Sequence, residues 1–220
     1  MNFAPGLDIR ARLMAALLGL VAVLFAVPAQ AVPERRVALV IGNSAYTAVP
    51  RLANPQRDAT AISAALKRLG FEVVEGYDLR MDEMTGIVRE FAQKLDGAKA
   101  GVVYYAGHGI AVGDENYLIP VDASLKSEAD LDFRAVNVQL ILRQMQRDER
   151  VNVLILDACR DNPFNKTMKR TIGSRAVGRG LAKVEPTNPN TLIAFAAKAG
   201  STASDGEGKN SPFAAALVNH

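Results

Sequence analysis

Short, uninterrupted apolar runs alternate along the chain with segments whose apolar residues recur every three or four positions. Val37 to Ile41 is the first such run, closed by Gly42 and Asn43, and it reads as a strand buried on both faces. Pro50 to Pro55 reads as loop. From Asp58 to Leu69 the residues Ala61, Ile62, Ala65, Leu66 and Leu69 fall at helical spacing, and Gly70 supplies the stop. Phe71 to Tyr77 predicts a second strand, Met81 to Leu95 a helix with Met84, Ile87, Val88, Phe91 and Leu95 on one face, and Gly101 to Tyr105 a third strand. Tyr117 to Val121 predicts a short extension, Val136 to Met145 a helix, and Val151 to Leu156 and Leu192 to Ala197 two further strands. A last helix is expected to start with Ser211 as cap and Pro212 in its first turn, followed by Phe213 to Val218. Parallel neighbours need a crossover, which is usually a helix. The alternation therefore predicts the α/β class, a doubly wound, mostly parallel sheet flanked by helices.

The N-terminus breaks this pattern. Arg10 and Arg12 precede an uncharged apolar run of 15 residues, Leu13 to Val27, followed by Pro28 and the small-residue triplet Ala29, Gln30, Ala31. This is the layout of a secretory signal peptide, with cleavage expected after Ala31. A membrane-crossing helix needs about 20 apolar residues, so a permanent span fits less well. The expected organisation is a signal peptide over 1–31 and one domain over 32–220, secreted or periplasmic, with no stable membrane span after cleavage. A total of 220 residues suits a single domain, and 49% hydrophobic with 22% charged residues excludes a disordered chain. The net charge of +3 falls to +2 without Asp8, Arg10 and Arg12 of the leader, which does not suggest nucleic acid as a partner. One cysteine excludes an internal disulfide and any thiolate-rich zinc site. Asn162 to Val184 carries Lys166, Lys169, Arg170, Arg175, Arg179 and Lys183 with no acidic residue, and reads as a basic, glycine-containing loop.

In doubly wound sheets ligands bind beyond the carboxyl ends of the strands. The third predicted strand runs into Ala106, Gly107, His108 and Gly109; the strand ending at Leu156 runs into Asp157, Ala158, Cys159 and Arg160. The only internal histidine and the only cysteine thus fall after predicted strands, 51 positions apart. A thiol becomes a strong nucleophile when an imidazole accepts its proton, and glycines beside His108 free backbone N–H groups to approach an oxyanion. A lone buried cysteine is more often an inert small hydrophobe, and a lone histidine a hydrogen-bonded turn residue. Their joint placement favours a catalytic dyad.

Seven stretches extend the pattern in order: VALVIGNSAY (Val37 to Tyr46), LANPQRD (Leu52 to Asp58), LGFEV (Leu69 to Val73), YYAGHG (Tyr104 to Gly109), NYLIPVD (Asn116 to Asp122), LDACRDNPF (Leu156 to Phe164) and SPF (Ser211 to Phe213). With a histidine about 50 residues upstream of the cysteine, the chain resembles the bacterial caspase-like cysteine peptidases, the metacaspase and orthocaspase family. The resemblance implies a caspase-haemoglobinase fold with His108 as general acid/base and Cys159 as nucleophile. It further implies an oxyanion hole from the N–H groups of Gly109 and Cys159, and a peptide or protein substrate. Members of the family continue past the last predicted helix, so a truncated C-terminus is expected.

Caspases that cut after aspartate carry glutamine two residues before the cysteine; here that place holds Asp157. A fixed carboxylate in a partly dehydrated pocket favours a cation, and Asp58 stands where metacaspases carry their other pocket aspartate. The resemblance therefore implies cleavage after Arg, and less readily Lys, because guanidinium pairs bidentately with carboxylate. Asp58 also suits a helix N-terminus and Asp157 a turn, and Arg57 is placed to pair with Asp58 and weaken the pocket. Arg170, Arg175 and Arg179 are candidate self-cleavage sites or parts of a solvated loop. The metal content is unknown. Calcium is implied as a cofactor only by the resemblance, because Asp114, Glu115, Asp122, Glu128, Asp130 and Asp132 match no EF-hand loop or compact oxygen cage. The competing reading is a catalytically silent, caspase-like binding or scaffold domain, since fold alone does not guarantee activity.

Overall fold

The computed structural model describes residues 34–147, 149–159, 163–164, 168, 181–184, 188–196 and 208–219, with Cys159 described by its backbone alone. These residues belong to one compact unit, Glu34–His220. The expected leader over 1–31 and the candidate self-cleavage residues Arg170, Arg175 and Arg179 lie outside the described residues.

In chain order the elements are β1 (Arg36–Gly42), α1 (Pro55–Arg68), β2 (Glu72–Tyr77), α2 (Met81–Lys94), β3 (Ala100–Val112), β4 (Glu115–Leu118), a 3-10 turn (Glu128–Asp130), α3 (Leu131–Arg134), β5 (Val136–Asn137), α4 (Val138–Met145), β6 (Val151–Cys159), β7 (Thr191–Phe195) and α5 (Pro212–Asn219). The strands β2, β1, β3, β6 and β7 lie side by side in that order, all parallel. Side chains along a strand alternate between faces, and the two cores follow that rule. Val37, Leu39 and Ile41 pack with Met84, Val88 and Phe91 of α2 and Ile141, Leu142 and Met145 of α4. Val40 instead joins Ala59 and Ile62 of α1, with Tyr104 and Ala106 of β3. Helices thus cover both faces, as the alternation of apolar patterns predicts.

Several boundaries differ from the sequence reading; the extension expected over Tyr117 to Val121 is β4 over Glu115–Leu118, and the strand expected over Leu192 to Ala197 is β7 over Thr191–Phe195. The helix α1 starts at Pro55, because proline has no N–H to leave unpaired and its φ is already helical. The helix expected from Val136 begins as a two-residue strand, with Val136 opposite Leu118 and Asn137 opposite Tyr117. Asn137 Oδ1 then accepts the Gln139 N–H at 2.7 Å and starts α4 at Val138. The largest difference is β3, which continues past Tyr105 to Val112. Its outer half is paired on both sides, with β6 up to His108 opposite Cys159 and with antiparallel β4 from Gly109 opposite Leu118. No helix among the described residues is long and apolar enough to cross a membrane.

Candidate active site

The rungs Ala106–Asp157, Gly107–Ala158 and His108–Cys159 close the parallel ladder between β3 and β6. Adjacent strands lie about 4.8 Å apart, so the backbones of the histidine and the cysteine are immediate neighbours despite their separation in sequence. The expectation that both lie beyond their strands is corrected. His108 is inside β3, and Cys159 is the last residue of β6. The ladder itself therefore holds both positions.

His108 is buried, at 5% exposure. Its Nε2 is 2.8 Å from the Pro50 carbonyl oxygen. A carbonyl only accepts, so Nε2 carries the hydrogen, and Nδ1 is the ring atom that can take another proton. Nothing in the sequence marks this third group, because a backbone carbonyl has no side-chain signature. The Tyr46 ring lies 4.4 Å from the imidazole, centroid to centroid, tilted by 54°. The loop carrying Tyr46 and Pro50 is fastened at its root. The N–H groups of Ser44 and Ala45 donate to Asp78 Oδ1 at 2.7 and 2.8 Å, and Asn43 Nδ2 donates to the Ile119 carbonyl at 3.1 Å.

Only glycine fits at position 107. Its φ is +154°, and a Cβ there would lie 2.5 Å from Tyr46 Oη and 2.6 Å from Tyr105 Oη. Gly109, the expected oxyanion donor, sits one residue beyond the histidine. A Cβ on it would meet Leu181 Cδ2 at 3.0 Å and Ala158 Cβ at 3.1 Å.

The two expected specificity carboxylates meet through one residue. Asp58, at 2% exposure in the first turn of α1, accepts from Asn210 Nδ2 at 2.8 Å and from the Ser211 N–H at 3.0 Å, both on Oδ1. Asp157 Oδ2 accepts from Ser211 Oγ at 2.7 Å and from Tyr104 Oη at 3.0 Å. Ser211 Oγ also accepts the Ala214 N–H at 3.0 Å, which makes it the cap of α5 that the sequence predicts. Burial first, then the charges of Asp157 and Asp58, push the Tyr104 phenol far above its usual range. Tyr104 therefore remains a proton donor to Asp157 at any working pH. Arg57 donates through Nε to the Lys209 carbonyl at 2.6 Å and through its guanidinium to Asn54 Oδ1. It thus anchors the segment that delivers Asn210 and Ser211. Asp58 and Asp157 thus share Ser211 as a common hydrogen-bond partner.

Three carboxylates of the acidic stretch, which the sequence matches to no calcium cage, hold local structure. Asp122 Oδ1 accepts the Met81 N–H at 3.0 Å at the start of α2, Asp130 Oδ2 accepts the N–H groups of Lys126 and Ser127 at 2.7 and 2.8 Å, and Glu115 Oε2 accepts from Tyr117 Oη at 2.7 Å. Among the described residues no group of three or more His, Cys, Asp or Glu side chains is placed to hold a metal ion. A cleft of about 420 Å³ lies between α2 and α4, lined by Val88, Ala92, Val136 and Leu140 with Arg89 and Arg143. It is separate from the dyad and the carboxylate pair.

Comparison with known proteins agrees with this geometry. The family model described as "Caspase domain" matches residues 35–220. The mucosa-associated lymphoid tissue lymphoma translocation protein 1 of Homo sapiens is 37% identical over 141 residues, 63% of this chain and 17% of that protein. The homologous protein of Mus musculus matches with the same identity and coverage. The chain thus spans about 17% of the length of these relatives.

Proposed function

Because the chain belongs to the caspase domain family of cysteine-type peptidases, we propose that it hydrolyses peptide bonds on the carboxyl side of Arg, and less readily Lys, through Cys159 and His108. The observation that carries this reading is the rung joining His108 to Cys159, with His108 Nε2 on the Pro50 carbonyl.

In this reading His108 Nδ1 takes the thiol proton as Cys159 Sγ bonds to the scissile carbonyl carbon. The N–H groups of Gly109 and Cys159 hold the oxygen that becomes negative. When the C–N bond breaks, the imidazolium returns its proton to the leaving amine. Water, deprotonated by His108, then cleaves the thioester and restores the thiol. The pairing of Asp58 and Asp157 through Ser211 supports a cationic residue at the cleavage site, because a guanidinium there replaces neutral donors with a charge-assisted pair. Secretion or a periplasmic location, and self-processing at Arg170, Arg175 or Arg179, belong to the same proposal and rest on the sequence.

A fluorogenic peptide ending in Arg, assayed beside one ending in Asp, tests it. Hydrolysis of the Arg peptide is expected. It should fall to background in Cys159→Ala and by about 10²- to 10⁴-fold in His108→Ala. A folded wild-type chain that cuts neither peptide but binds them would establish the silent binding domain instead.

A further inference from the structure

We propose that Tyr46 and Tyr105 are positioning residues for His108, holding both of its peptide groups in a closed ring of hydrogen bonds that sets the orientation and basicity of the imidazole. The proposal rests on the reading of His108 as the acid/base, and it adds residues that the dyad and the carboxylate pair do not include.

The ring is built where β3 changes partners. Its pairing with β1 ends at Ala106 opposite Gly42, and its pairing with β4 starts at Gly109 opposite Leu118. Between them the buried peptide groups of His108 have no strand on that side, and buried N–H and C=O groups need partners. Two phenols and one backbone N–H supply them. The His108 N–H donates to Tyr46 Oη at 2.7 Å, and the His108 carbonyl accepts from Tyr105 Oη at 2.7 Å and from the Ile119 N–H at 3.1 Å. The two phenol oxygens are 3.3 Å apart. Each phenol has one proton. With the Tyr105 proton on the His108 carbonyl at 2.7 Å rather than on the Ile119 carbonyl at 3.2 Å, the proton between the two phenols comes from Tyr46. The direction runs from the His108 N–H through Tyr46 and Tyr105 back to the His108 carbonyl.

Tyr46 acts on the same residue a second time, through its ring 4.4 Å from the imidazole. An aromatic face beside an imidazolium favours the charged form. The backbone grip also fixes how closely Nε2 approaches Pro50. Gly107 completes the device, because any side chain there would collide with both phenol oxygens. Tyr46 and Tyr105 are themselves buried, so the ring works away from water.

The test uses the whole chain labelled with ¹⁵N-histidine. The protein has two histidines, so the His108 signal is read against His220 as internal reference. Tyr46→Phe keeps the ring but removes the oxygen that receives the His108 N–H. The expected result is a His108 titration midpoint lowered by about 0.5 pH unit or more, a threefold loss of proton affinity, with His220 unmoved. On an Arg substrate kcat should fall about 10- to 100-fold with KM unchanged, the penalty for a displaced catalytic group. Tyr105→Phe is expected to shift the same signals in the same direction. The double variant Tyr46→Phe/Tyr105→Phe removes both phenol oxygens together, which avoids leaving one without the other. Folded variants with unchanged His108 titration and unchanged kcat overturn the proposal, as does the failure of all three to fold, which assigns the tyrosines to stability alone. If the wild type cuts no peptide, the His108 titration and the pH profile of Cys159 alkylation by iodoacetamide still decide the proposal, and only the activity reading falls.

Discussion

The imidazole end and the carboxylate end of the site are supported in opposite ways. His108 is held by Pro50, Tyr46, Tyr105 and Ile119, the most distant of them 62 positions away and all within the first half of the domain. Among the described residues, Asp58 and Asp157 meet at a segment far along the chain, with Asn210 and Ser211 lying 152 and 153 positions from Asp58. His108 and Cys159 thus share a ladder, with His108 also held by a hydroxyl ring, whereas Asp58 and Asp157 meet at the segment that enters α5. In the proposed reading chemistry and selectivity are therefore separable.

The strongest way to break this comparison is Asp157→Asn. In the proposed reading Asp157 pairs with the substrate cation, and removing one partner of a hydrogen-bonded charge pair costs about 2 kcal/mol or more, a loss of roughly 30-fold. That loss is expected in kcat/KM for an Arg substrate, with the alkylation rate of Cys159 unchanged; a parallel fall in thiol reactivity would show that the two ends are one unit. Ser211→Ala sharpens the same point at smaller scale. It removes the cap of α5 and a donor to Asp157, and a lost cap costs about 0.5–2 kcal/mol, read as a lower urea midpoint. The His108 titration should not move.

The smallest effect is expected away from both ends, at Glu75. The Ser63 hydroxyl, and to a lesser degree Lys67, hold its carboxyl below the ordinary 4.5 against the opposing effect of burial. A carboxylate whose folded pKa is depressed stabilises the fold above the unfolded value, and that contribution is lost as pH falls through the lower folded value. Ser63→Ala should therefore move the acid-unfolding midpoint slightly upward in a circular-dichroism titration. The carboxylate is largely exposed, so solvent screening keeps the shift small.

How much of this was legible in the sequence follows from what each part is made of. The strand β1 is a continuous apolar run from Val37 to Ile41, β6 is one from Val153 to Leu156, and the helices α1 and α2 have clear periodicity, so the parallel layer could be read directly. The outer half of β3 could not. Gly107 and Gly109 look like a turn, and only pairing on both flanks keeps that stretch extended. The strands β4 and β5, at four and two residues, are too short for any period to show. His108 and Cys159 stood out because they are rare residue types in this chain. The proximity of Asp58 and Asp157 was indicated by the family resemblance, while Ser211, which joins them, was recognised only as a helix cap. Tyr46 and Pro50 went unnoticed because a loop phenol and a backbone oxygen gain meaning only from what folds against them.

The nine rungs from Ala100–Val151 to His108–Cys159 keep β3 and β6 in step. Deleting one residue within either strand would offset base and nucleophile by a rung and turn the shifted stretch toward the opposite face. Descendants of this domain should therefore keep the count of residues within the two strands constant.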